Sequence, residues 1–191
     1  EDWSEALNLS DLNGTNGFII NGIDADDNSG ISVSSAGDVN GDGIDDIIIG
    51  AEWADQDDAP NAGESYVVFG SSEDWSEALN LSDLNGTNGF QINGIDEDDN
   101  SGYSVSSAGD VNGDGIDDII IGAYRASQGD DAPYAGESYV VFGSGTRSAS
   151  ELNLSDLNGT NGFTINGIDA YDSSGTSVSS AGDVNGDGID D

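Results

Sequence analysis

Short apolar runs, each only a few residues long, are separated by polar, turn-rich segments along the whole chain. Apolar and polar positions alternate in Ile31-Ser32-Val33 and Tyr103-Ser104-Val105, and the pattern recurs at Thr176-Ser177-Val178, which predicts a strand at each place. The runs Ile47-Ile48-Ile49-Gly50-Ala51 and Ile119-Ile120-Ile121-Gly122-Ala123 are β-branched and bounded by turn residues. They read as strands covered on both faces. Ser65-Tyr66-Val67-Val68-Phe69-Gly70 and its copy at 138–143 predict a third strand. A fourth, Gly17-Phe18-Ile19-Ile20-Asn21, recurs around Phe90-Gln91-Ile92 and Phe163-Thr164-Ile165. Its middle residue changes from Ile19 to Gln91 to Thr164 while the flanking Phe and Ile do not, so the flanking pair is expected to face the core and the middle residue solvent. No stretch sustains a helical period, and Asn-Gly, Gly-Asp and Ser-Gly clusters supply the turns.

These runs recur as a unit. Asp-Val-Asn-Gly-Asp-Gly-Ile-Asp-Asp occupies 38–46, 110–118 and 183–191, at spacings of 110 − 38 = 72 and 183 − 110 = 73 residues. The extra residue falls in one loop, where 54–60 becomes 126–133. Four strands per unit of this length, with regular turns between them, predict an all-β chain of propeller-like blades, each a four-stranded antiparallel sheet. Residues 1–30 are then the outer strand of a preceding blade plus a connector, 31–102 and 103–175 are complete blades, and 176–191 begin a third.

The repeated nonapeptide has the ligand spacing of a calcium loop. Side-chain oxygens at positions one, three and five, a backbone carbonyl at seven and a closing carboxylate converge on one hard cation. In the first copy these are Asp38, Asn40, Asp42, the Ile44 carbonyl and Asp46; in the second, Asp110, Asn112, Asp114, Ile116 and Asp118; in the third, Asp183, Asn185, Asp187, Ile189 and Asp191. Gly43 stands where the chain turns inward and a positive φ is needed. A dockerin shares such a loop, but there a helix follows, whereas here Ile47 to Ile49 follows. Asp45, Asp117 and Asp190, at position eight, are expected to point away from the ion. A second acidic motif, Asp24 to Asp27, recurs as 96–99 and 169–172 with only its outer Asp residues kept; it reads as a solvated turn or a weaker ion site. The Asn-Leu-Ser and Asn-Gly-Thr triplets belong to the repeat and read as turns.

Charge narrows the partners. The chain has 2 basic and 39 acidic residues, a net charge of −37, with no His, Cys or Met. Nucleic acid and anionic membranes need a basic surface and are excluded as partners. No apolar run is long enough to insert in a membrane. Without Cys there are no disulfides, and without His, Cys or Lys the commonest nucleophile–base pairs are missing, so no enzymatic activity is expected. A chain that starts at Glu1 and lacks Met is expected to be a processed or excised piece of something longer.

The run Gly-Asp-Val-Asn-Gly-Asp-Gly-Ile-Asp-Asp-Ile-Ile-Ile-Gly-Ala, followed by Gly-Glu-Ser-Tyr-Val-Val-Phe-Gly, resembles the FG-GAP repeat, the blade type of the integrin α-subunit propeller. That resemblance implies that the calcium loop joins the first two strands of a blade and that 88–94 and 161–167 supply outer strands. It departs from the family where Glu52 and Tyr124 replace the Pro that follows Gly-Ala. A ring takes about four blades or more, so two whole ones imply an incomplete propeller or a segment of a larger β assembly. The expected role is an extracellular or cell-surface structural or adhesion module stabilised by Ca2+. The alternatives are a subunit of a filament or surface layer, in which identical chains adjoin, and the accessory propeller of a secreted hydrolase. Loops 52–62, with Trp53, and 124–135, with Tyr124, Arg125 and Tyr134, differ between repeats and are the candidate contacts for a protein or glycan ligand.

Overall fold

Alternation with a period of two sends successive isoleucines of one strand to opposite faces of a sheet, and the fold covers both faces by stacking sheets side by side. A computed structural model describes residues 6–56, 59–129 and 131–191. Its strands are β1 (Ile19–Asn21), β2 (Ser32–Gly37), β3 (Asp46–Ala51), β4 (Glu64–Val68), β5 (Ala78–Asn80), β6 (Gly89–Asn93), β7 (Ser101–Gly109), β8 (Asp118–Ala123), β9 (Glu137–Val141), β10 (Glu151–Asn153) and β11 (Gly162–Asn166). Single 3-10 turns follow at Leu9–Asp11, Leu81–Asp83 and Leu154–Asp156, and there is no α-helix among the described residues.

The chain is all-β and its sheets are open. One blade runs β2-β3-β4-β6 with every pair antiparallel, and the next repeats this as β7-β8-β9-β11. The first blade carries a fifth strand that the sequence pattern did not announce: β10, from the following repeat, lies parallel along β6 with Leu152 opposite Ile92. In the same way β5 lies parallel along β1, with Leu79 opposite Ile20. Each repeat thus reaches back to extend the sheet before it.

Two clusters form the core. Ile48, Val67 and Ile92 face the second blade and pack with Ile119, Ile121, Tyr139 and Val141. Ile49, Tyr66 and Val68 face the other way and pack with Leu81 and, from β1 and β5, Ile20 and Leu79. Phe90 and Ile92 are buried around a half-buried Gln91, as alternation requires.

The third repeat departs from expectation twice. Thr176-Ser177-Val178 forms no strand, and no copy of the Ile47–Ile49 run pairs with it among the described residues. Phe163 and Ile165 of β11, expected in the core, are exposed at 40% and 44%. Their counterparts Phe90 and Ile92 are covered by Leu152 and Leu154, and no such segment lies on β11 among the described residues.

Candidate metal centre

The first two nonapeptides sit where an inner strand ends and its hairpin partner begins, 38–46 between β2 and β3 and 110–118 between β7 and β8. Within the first loop the Asp42 N–H donates to Asp38 Oδ1 (2.9 Å) and Asn40 Oδ1 (2.8 Å), the Gly43 N–H to Asp38 Oδ2 (2.7 Å) and the Ile44 N–H to Asp42 Oδ1 (2.9 Å). The second loop has the same ring: Asp114 N–H to Asp110 (3.0 Å) and Asn112 (2.9 Å), Gly115 N–H to Asp110 (2.7 Å) and Ile116 N–H to Asp114 (3.0 Å). The third repeats it on Asp183, Asn185 and Asp187, with Ile189 the last donor. Those N–H groups hold the side-chain oxygens of positions one, three and five at fixed points, and each oxygen keeps a second lone pair for an ion. Gly43, Gly115 and Gly188 bend the loop with φ of 87°, 89° and 93°.

The closing carboxylates tie that ring to the strands, and in the second loop Asn112 Nδ2 donates to Asp118 Oδ1 (3.4 Å). Asp46, 1% exposed, accepts the Val39 N–H (3.1 Å) and the Gly70 N–H (2.8 Å), which ties the loop to the end of β4. Asp118, fully buried, does the same with Val111 (3.0 Å) and Gly143 (2.9 Å). Burial, with Asp42 and Asp38 or Asp114 and Asp110 nearby, pushes each of the two carboxyls up to about 6. Asp191 accepts from its own loop, from the Val184 and Asn185 N–H groups and the Asn185 amide, and is exposed. The Gly188 N–H, with other loop amides, holds Asp183 below the ordinary carboxylate range. No three carboxylates among the described residues converge as an ion cage by themselves. The donor set that fits an ion is mixed: aspartate, the Asn amide oxygen and the Ile carbonyl. These are hard oxygen donors with no nitrogen or sulfur ligand available, which suits calcium over zinc or copper.

The family model described as FG-GAP repeat matches residues 29–68 and 101–141, each span holding one complete loop and the hairpin it joins. The chain carries FG-GAP repeats. Over 97 residues, 51% of this chain, it is 34% identical to Integrin alpha pat-2 of Caenorhabditis elegans, and the matched part is 7% of that protein's length.

Position eight of the second and third loops meets the loop before it, while Asp45 of the first is exposed. Asp117 Oδ2 accepts the Asp38 N–H of the preceding loop (2.9 Å), and Asp190 Oδ2 accepts the Asp110 N–H (3.2 Å). Only the identical spacing of the loops hints at this contact in the sequence.

The second acidic motif meets the blade face. Asp24 and Asp27, with Glu64, Tyr66, Asp55 and Gln91, line a cleft of about 350 Å³. Tyr66 donates to Glu64, and Gln56 Nε2 donates to the same carboxylate (2.5 Å). Tyr139, Gln128 and Glu137 repeat the trio in the second blade. There Asp99 is 8% exposed, and burial, together with Asp96, Glu137 and Asp98, pushes its carboxyl up to about 7. Arg125 does not offset this charge: its guanidinium donates to Asn100 Oδ1 (3.2 Å) and its backbone N–H to the Asp99 carbonyl. Since an unfolded Asp ionises near 4, the favourable contribution of protonated Asp99 is complete below about pH 4 and is lost as pH rises through about 7. Asp99→Asn keeps the shape without the ionisation. In EDTA, the variant is expected to gain stability relative to the parent between pH 5 and pH 8; a melting difference that is the same at both values contradicts this.

The variable loops are described except for residues 57, 58 and 130. Trp53 is 49% exposed. In the second repeat Tyr124 packs on Tyr103 and Tyr134 on Tyr171, with the Arg125 guanidinium 5.5 Å from the Tyr134 ring centre. No helix among the described residues is long and apolar enough to cross a membrane.

Proposed function

We propose that this chain is a calcium-stabilised extracellular module with a structural or adhesive role, built from FG-GAP blades and without catalysis of its own. What carries the calcium reading is the same ring of inward N–H groups on Asp, Asn and Asp in all three loops, set beside buried Asp46 and Asp118. The aspartates of one loop repel one another, and a cation bound there offsets that repulsion. Calcium would supply that charge, and this chain's residues would hold it: Asp38, Asn40 and Asp42 offer side-chain oxygens fixed by loop N–H groups, and Asp46 and Asp118 tie the loop to the strand end. The adhesive reading draws on the partial likeness to an integrin α chain, with the loops 52–62 and 124–135 as the ligand-facing candidates. Titration calorimetry tests the metal. Binding in the range of about 10⁻⁴ to 10⁻³ M is expected for calcium, with magnesium much weaker because it demands tighter octahedral geometry. Protein that takes up no calcium at 10 mM overturns the reading.

A second reading, a subunit of an extracellular filament or surface layer, is favoured by one observation. Among the described residues no strand lies along the outer edge of β11, while Leu7 and Leu9, in the same Leu-Asn-Leu segment that covers β6 elsewhere, are exposed at 46% and 75%. Placed as β10 lies on β6, residues 6–8 of a second copy would set Leu7 and Asn8 opposite Ile165 and Asn166. Association at high protein concentration, and its dependence on Leu9, decides this reading.

A further inference from the structure

We infer that the calcium loops are coupled in series, with Asp117 and Asp190 as positioning residues that set the first ligand of the loop before their own. The inference rests on the calcium reading above and goes beyond it, since that reading treats each loop as an independent site.

The contact is reciprocal at Asp117, and its carboxylate half recurs at Asp190. Asp117 Oδ2 accepts the Asp38 N–H at 2.9 Å, while the Asp117 N–H donates to the Asp38 carbonyl at 3.3 Å. Asp38 is the first ligand position of its loop, and both of its side-chain oxygens are already committed to N–H groups of Asp42 and Gly43. Its backbone is therefore clamped from the next loop while its carboxylate faces its own. Asp190 makes the same bond to Asp110 at 3.2 Å.

The neighbouring residues are shaped for this approach. Gly37 and Gly109, directly before the first ligand positions, have φ of 73° and 78°, and a Cβ at either would overlap the carboxylate of Asp117 or Asp190. Ile116 packs its side chain toward Gly41, and Ile189 toward Gly113. Position seven thus offers its carbonyl to its own loop and its side chain to the preceding one. Segment 142–145 adds a further brace, with the Ser144 N–H donating to the Val39 carbonyl at 2.8 Å.

Asp117 lies between two ligand positions of its own loop, Ile116 and Asp118. An ion that orders those two neighbours also fixes the backbone from which the Asp117 carboxylate reaches Asp38. Ordering in one loop thereby lowers the cost of ordering its predecessor, and linkage makes the effect mutual. The carboxylate also places one more negative charge beside the preceding ion. Asp45 occupies the same position in the first loop and makes no such bond among the described residues, so the chain contains its own control.

The three loops can be read separately by NMR, because Gly43, Gly115 and Gly188 each donate a backbone N–H to the first carboxylate of their own loop. In a calcium titration of the full chain, Asp117→Ala is expected to move the Gly43 midpoint to calcium concentrations about five-fold higher or more, and Asp190→Ala to do the same for Gly115. Asp45→Ala, which removes the same charge, is expected to leave all three midpoints within about two-fold. Asp117→Asn keeps an oxygen that can accept the Asp38 N–H and is expected to fall between parent and Asp117→Ala. Calcium binding with the Gly43 midpoint unmoved by Asp117→Ala overturns the coupling and leaves the calcium reading standing. An equal shift in Asp45→Ala also overturns it, since the effect is then one of net charge. Three glycine signals that ignore calcium up to 10 mM overturn both.

Discussion

Excess EDTA is expected to lower the melting temperature of this chain by about 10 °C or more. A ligand that binds only the folded state at about one hundred times its dissociation constant adds about 2.7 kcal/mol per site. With affinities near 10⁻⁴ M, calcium at 10 mM reaches that condition. Two loops braced by neighbouring strands then contribute about 5 kcal/mol, and each kcal/mol corresponds to roughly 2–4 °C in a chain of this size. Repulsion works in the same direction: Asp38, Asp42 and Asp46 in one loop, and a net charge of −37 overall, are left without an offsetting cation. Added salt should restore part of the loss by screening. Asp42→Ala and Asp114→Ala should each reproduce about half of the effect, in their own blade. Melting that is indifferent to EDTA overturns the structural role of the metal.

What could be read in the sequence follows from how local each feature is. The triple isoleucine of β3 announces a strand with two covered faces, and the structure packs Ile48 toward one neighbour and Ile49 toward the other. The outer strand is legible because Gln91 varies between Phe90 and Ile92, which do not. β5 and β10 were not legible. Ala78-Leu79-Asn80 is three residues without alternation, and it becomes a strand only beside β1, where Asn21 Nδ2 donates to Asn80 Oδ1 (3.0 Å) across 59 positions of sequence.

The candidate site divides in the same way. Spacing alone picks out the residues of the hydrogen-bonded ring, since Asp38, Asn40 and Asp42 are contiguous in one turn. It does not reveal that Asp46 is buried and bonded to Gly70, 24 residues away, or that Asp117 serves the neighbouring loop 79 positions earlier. Both depend on the pairing of strands and the stacking of blades. The third repeat shows the limit of reading by analogy: Phe163 is the same residue as Phe90 in the same motif, yet it is exposed because what buries a blade's outer strand comes from the next repeat.

Leu154→Ala is therefore expected to cost about 2–5 kcal/mol, while Leu9→Ala, the same residue in the same Leu-Ser-Asp turn, costs less than about 0.5 kcal/mol in dilute protein. Leu154 is 1% exposed and packs with Leu152 against Phe90 and Ile92, whereas Leu9 is 75% exposed. The docking also recruits Arg147, whose guanidinium sits 4.7 Å from the Phe90 ring centre and donates to the Phe142 carbonyl (3.3 Å). In register with β10 on β6, residues 6–8 of a second copy would set Leu7 opposite Ile165 and Asn8 opposite Asn166. Burying a handful of such side chains gains about 1.5–3 kcal/mol each, against an association cost of about 4–15 kcal/mol and the repulsion of two acidic chains. Self-association should then be weak, visible by sedimentation only near millimolar protein in salt and calcium, and abolished by Leu9→Asp with no loss of monomer stability. A parent that stays monomeric under those conditions overturns the filament reading. Equal effects of Leu154→Ala and Leu9→Ala on melting would overturn the docking of each repeat on the one before it.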